Sequence, residues 1–88
     1  MTEIELALTN HAGLHARPAA QFVQKAAQFK SKVQILAGSK TADAKSILAV
    51  MGLGLSTGMS FTLKVDGEDE QACIDALRHL VESKFGEV

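Results

Sequence analysis

The chain has 88 residues, 47% of them hydrophobic and 22% charged, with a formal net charge of −1. That describes one small domain, residues 1–88, near the size at which a single core is only just sufficient. The balanced charge sets up no bulk field toward nucleic acid or an anionic membrane, and with four phenylalanines and no tryptophan or tyrosine a base-stacking platform is almost absent, so no nucleic-acid partner is expected.

Ile4, Leu6 and Leu8 alternate with Glu3, Glu5 and Ala7, the period of a half-buried strand. The stretch Met1-Thr2-Glu3-Ile4-Glu5 lacks the basic start and apolar run of a signal peptide. Nothing approaches the ~18 continuous apolar residues of a membrane span. The expectation is a cytoplasmic protein with no membrane insertion. Residues 9–14 read as a loop. From Ala16 the period lengthens, with Ala19, Phe22, Val23, Ala26 and Phe29 on one helical face. Pro18 fits only in the first helical turn, which puts His15 at or just before the helix start.

Val33, Ile35 and Ala37 suggest a second strand, Gly38-Ser39 a tight turn, and Lys40 to Asp43 an antiparallel return. Ser46 then precedes Ile47, Leu48, Val50, Met51 and Leu53, a short apolar helix interrupted by Gly52 and Gly54. Phe61, Leu63 and Val65 alternate with Thr62, Lys64 and Asp66 as the last strand. Asp66-Gly67 turns the chain into a helix opened by Glu68, Asp69 and Glu70, whose charge suits the dipole. Cys73, Leu77, Leu80, Val81 and Lys84/Phe85 recur at helical spacing, and Gly86 marks the stop. The order β-α-β-β-α-β-α implies a two-layer α+β domain with a largely antiparallel sheet, one face covered and one solvated. Such a fold has no deep cleft, so a site must lie on the surface.

Chemistry concentrates in Gly13-Leu14-His15-Ala16-Arg17-Pro18-Ala19. A helix start gathers unpaired N–H groups and favours bound phosphate. Arg17 adds a forked, permanently charged donor, and a neutral imidazole is able to attack phosphorus near pH 7. Taken alone, a histidine in such a loop is most often merely exposed; its neighbours Arg17 and Pro18 make His15 a candidate phosphate acceptor. His11 and His15 are split by Gly13 and lack a third ligand, so no metal site is expected. His79 beside Arg78 reads as a solvated helix face. Cys73 is the sole cysteine and reads as a core thiol. Ser46 suits an N-cap, or alternatively a phosphorylation site held by the same helix start. Gly52 to Gly58 lacks the flanking strand and helix of a nucleotide loop and reads as a turn-rich connection. Part of Ile47, Leu48, Met51 and Leu55 should stay exposed as a docking patch.

Two segments together resemble a known family. Gly13 to Ala19 looks like the active-site signature, and Ala44-Lys45-Ser46-Ile47-Leu48-Ala49-Val50-Met51 like the regulatory serine segment, of HPr, the histidine-containing phosphocarrier of the phosphoenolpyruvate-dependent sugar phosphotransferase system. The resemblance covers essentially the whole chain. It implies an open-faced β-sandwich, a four-stranded antiparallel sheet covered on one face by three helices. It implies that His15 takes a phosphoryl group from phosphorylated enzyme I on Nδ1, supported by Ala16 and Arg17, and passes it to the IIA component of sugar permeases. Ser46 matches the serine modified by an HPr kinase/phosphorylase, a form that can engage a transcriptional regulator. Ala20, Ile47, Leu48 and Met51 match the partner-docking surface. No cofactor beyond the transient phosphoryl group, no independent turnover and a monomeric state are implied.

Three positions depart from the family pattern. Ala12 stands where a hydrogen-bonding side chain is common, Gln24 where lysine or arginine is, and Gly52 where serine or threonine is. These bear on partner affinity more than on fold. Other readings are an HPr-like carrier of a nitrogen-regulatory or dihydroxyacetone kinase relay, a Ser46-switched binding module, and a small phosphatase cradling phosphate on Arg17.

Overall fold

The computed structural model describes residues 1–11, 13, 14 and 16–86. Its elements are β1 (Thr2–Ala7), α1 (Ala16–Ala26), β2 (Lys32–Ala37), β3 (Lys40–Asp43), α2 (Ile47–Gly52), β4 (Ser60–Asp66) and α3 (Glu70–Glu82), followed by a short 3-10 turn over Lys84–Gly86. The sheet runs β1-β4-β2-β3, and each neighbouring pair is antiparallel. β1 and β2 are therefore parallel with β4 between them, joined through α1. β3 and β4 are likewise parallel with β2 between them, joined through α2. Two split βαβ units interleave to make the open sheet expected from the sequence.

Strand register explains which face is covered. Ile4 pairs with Leu63, Leu6 with Phe61, Val33 with Val65 and Ile35 with Leu63, so one face is apolar across three strands. The other face carries Glu3 opposite Lys64, Glu5 opposite Thr62 and Gln34 opposite Lys64, and stays wet. α1 lays Ala19, Phe22 and Ala26 on the apolar face, and α3 adds Cys73, Ile74, Leu77 and Val81. The Phe22 ring meets Phe61 edge-on, with centroids 6.3 Å apart and planes at 81°. Burial pushes the Cys73 thiol up to about 11, so it is an inert core group at neutral pH.

The ends of α3 differ from the sequence reading. The helix begins at Glu70, and Asp69 at its N-cap makes no side-chain bond to its own helix. Its carboxylate instead accepts from the Lys30 amide (2.8 Å), the Ser31 amide (2.9 Å) and the Ser31 hydroxyl. Glu70 in turn accepts from the Thr2 hydroxyl and from the Gly67 amide (3.3 Å). Acids that suit a helix dipole here tie the start of α3 to neighbouring segments. At the other end α3 stops at Glu82, and Lys84 and Phe85 take positive φ of 58° and 56°. That reversal, not a further helical turn, brings Phe85 into the core.

Candidate functional site

The loop after β1 is built against the loop between α2 and β4. Leu8 donates its amide to the Met59 carbonyl (2.9 Å) and accepts from the Gly58 amide (2.8 Å). Thr57 Oγ1 donates to the carbonyls of Asn10 and His11, one hydroxyl spanning both. Asn10 is buried, and its Nδ2 donates to the Gly13 carbonyl at 2.8 Å. Leu14 is buried as well and donates its amide to the Leu55 carbonyl at 3.0 Å. Gly13, at φ +64°, lies so close to this second loop that a Cβ there would fall 2.6 Å from Ser56 Cα. Leu8, Asn10, His11, Gly13 and Leu14 are thus each fastened to or packed against the Leu55–Met59 stretch.

His15 and Ala12 lie outside the described residues. On the far side of residue 15 in the chain, Ala16 opens α1 with φ 34°, Arg17 is exposed and Pro18 is buried in the first turn, as the sequence predicts. The first-turn amides of such a helix have no intrahelical acceptor, and Pro18 carries no N–H to leave unpaired. Apolar anchors at Ala19 and Phe22 fix α1 on the sheet. Arg17 and the opening amides of α1 therefore lie at the start of a helix anchored on the sheet.

Ser46 is the N-cap of α2. Its φ and ψ are −116° and 112°, its Oγ accepts from the Ala49 amide at 3.4 Å, and its carbonyl accepts from Val50 at 3.0 Å. Asp43 holds the approach, accepting from the Ser46 amide through its carbonyl (3.0 Å) and from the Lys45 amide through Oδ1 (2.9 Å). Lys45 Nζ reaches the Phe29 carbonyl at 2.9 Å, tying this corner to the segment after α1. Within α2 only Val50 is buried, while Ile47, Leu48 and Met51 are exposed, Leu48 to 81%. Leu55 does not join that patch: it is 1% exposed and packs in the core. Ala20 is half-buried on α1, the helix that packs beside α2.

The stretch Leu55 to Met59 is what the sequence reading missed. In the sequence it is a turn-rich connection, because its residues carry no obvious chemistry. The available signal was Gly13, since a glycine there leaves room for another backbone to approach.

A family model described as "PTS HPr component phosphorylation site" matches residues 2–83. The phosphocarrier protein HPr of Lysinibacillus sphaericus is 51% identical over 69 residues, covering 78% of each chain. That of Cupriavidus necator is 41% identical over 87 residues, 99% of this chain and 98% of the relative. The crystal structure of HPr-C-His from Thermoanaerobacter tengcongensis superposes with a TM-score of 0.98 at 46% identity, covering 100% of this chain and 99% of that one. Among the described residues no helix is long and apolar enough to cross a membrane. With the same fold shared from end to end and the phosphorylation-site model spanning most of it, the chain belongs to the HPr family, the phosphocarriers of the phosphotransferase system.

Proposed function

We propose that His15 is the phosphoryl acceptor of a general phosphocarrier, charged by phosphorylated enzyme I and discharged to the IIA component of a sugar permease. The observation that carries this reading is the chain position of residue 15. It falls between Leu14, buried and bonded to the Leu55 carbonyl, and Ala16, which opens α1 with Arg17 next. Transfer forms a bond from an imidazole nitrogen, Nδ1 by family resemblance, to phosphorus while the bond to the donor's leaving atom breaks. Arg17 and the opening amide of Ala16 offset the phosphate charge. One exposed guanidinium holds the group loosely enough for a partner to take it in line.

Ile47, Leu48 and Met51 on α2, with Ala20 on α1, form the docking surface for both partners. Ser46 caps the helix that bears the patch, so phosphorylation there by an HPr kinase/phosphorylase would place roughly −2 charge beside it and oppose an acidic partner surface. In that form a transcriptional regulator is a further partner. The carrier works as a cytoplasmic monomer, without a cofactor or independent turnover.

The test is incubation with enzyme I, magnesium and phosphoenolpyruvate, read by intact mass. One acid-labile phosphate is expected on the native chain and none on His15→Ala, with the circular dichroism spectrum unchanged. Arg17→Ala should slow acceptance about tenfold, equivalent to ~1.4 kcal/mol of transition-state stabilisation. Phosphate retained on His15→Ala would refute the assignment.

A further inference from the structure

We propose that the Met59 thioether is a peroxide-oxidisable latch on the loop leading to His15, and that forming its sulfoxide slows phosphoryl acceptance. This rests on the reading of His15 as the acceptor. Met59 is 43% exposed, so a small hydroperoxide can reach its sulfur. Its side chain folds back over the turn it closes: the Met59 amide donates to the Ser56 carbonyl (3.0 Å), and Sδ accepts from the Ser56 amide (3.4 Å) and Oγ (3.3 Å). Met1 and Met51 are exposed too, but among the described residues Met59 is the methionine whose sulfur accepts hydrogen bonds.

The turn so fastened is the one that backs the acceptor loop. Ser56 Cα lies 2.6 Å from where a Cβ of Gly13 would be, the Leu55 carbonyl accepts from Leu14, and the Met59 carbonyl accepts from Leu8. The two backbones approach too closely there for a side chain to fit between them, so a Ser56 displaced toward Gly13 pushes on it, and one that carries Leu55 along pulls on the Leu14 amide.

In the chemical step a sulfur lone pair attacks one oxygen of hydrogen peroxide. The S–O bond forms as the O–O bond breaks, and the released hydroxide takes the proton from the transferred oxygen. Thioether plus peroxide gives sulfoxide plus water. Sulfur is oxidised and the peroxide reduced, with no other reactant. A weak, soft acceptor gives way to a strong polar one displaced by an S–O bond from the sulfur that the two Ser56 donors now meet. The Ser56 amide and hydroxyl then follow the sulfoxide oxygen, and the turn loses its present shape.

The experiment treats the whole protein with hydrogen peroxide, locates the added oxygen by peptide mass, and measures acceptance from enzyme I against each protein's own untreated rate. Expected are an oxygen on Met59, an at least threefold slower rate, and recovery of mass and rate with methionine sulfoxide reductases. Met59→Leu should lose clearly less on the same treatment. No oxygen on Met59, an oxidised Met59 with an unchanged rate, or an equal loss in Met59→Leu would overturn the latch. Untreated protein that accepts no phosphoryl group defeats the carrier reading instead. The Gly13 and Leu14 amide resonances then decide the latch separately: they must shift on Met59 oxidation, and unmoved resonances refute it.

Discussion

At Gly13 two constraints coincide. Its φ of +64° is in the left-handed region, and the space a Cβ would need is taken by backbone, Ser56 Cα at 2.6 Å and the Leu55 oxygen at 2.8 Å. Backbone cannot swing aside as the end of a flexible side chain can. Gly38 has nearly the same φ, +61°, with nothing within 4 Å. The two positions therefore separate conformational strain from collision. Gly38→Ala should cost roughly 1–2 kcal/mol from the left-handed backbone alone. Gly13→Ala should cost more, about 3 kcal/mol, because the loop must also part from Leu55 and Ser56. Denaturant midpoints of the two variants check this, and equal losses would show that the close approach carries no energy.

At the scale of the element, α2 is the least self-sufficient piece of the fold. It has six residues, buries Val50 alone, and is capped through a 3.4 Å bond from Ala49 to Ser46. A helix that short depends on packing rather than on its own propensity. Gly52 is its last residue and has nothing within 4 Å of its Cβ position. Gly52→Ala should stabilise the protein by about 0.5–1 kcal/mol, read as a raised thermal midpoint; an unchanged or lowered midpoint would count against α2 as the weak element. The same contrast governs what the sequence makes legible. The strands announce themselves because Phe61, Leu63 and Val65 alternate cleanly, and α1 because Ala19, Phe22 and Ala26 keep helical spacing. Leu55 does not, since an apolar residue after a broken helix looks the same whether it turns to solvent or into the core. The Leu55–Met59 support is hidden for a related reason: apart from the Thr57 hydroxyl it acts through backbone groups, which every residue type possesses. His15 and Arg17 are legible by type, whereas Thr57 acquires its role only from contacts far along the chain.

For the molecule as a whole, the carboxylate of Asp69 joins segments that the sheet has already brought to one end. It follows β4, whereas Lys30 and Ser31 precede β2, and Asp66 pairs with Lys32 in the register of those two strands. Hydrogen bonds from the Ser31 hydroxyl, the Lys30 amide and the Ser31 amide hold the Asp69 carboxyl below its ordinary value of 3.8. A carboxylate bound more tightly to its donors in the native state binds its proton less readily there than in the unfolded chain. Its contribution is fully present above the unfolded-state value and is lost as pH falls through the lower folded-state value. Asparagine at this position keeps one acceptor oxygen and turns an N–H₂ toward a backbone donor, so it cannot serve all three partners. Asp69→Asn should therefore have a lower thermal midpoint than the native chain at pH 7. The gap should stay constant down to the ordinary carboxylate range and close below it, as the native carboxylate is protonated too. Parallel melts from pH 7 to pH 2.5 measure that gap, and a gap that persists undiminished at the acid end would mean that packing around Asp69, not its charge, holds the two segments together.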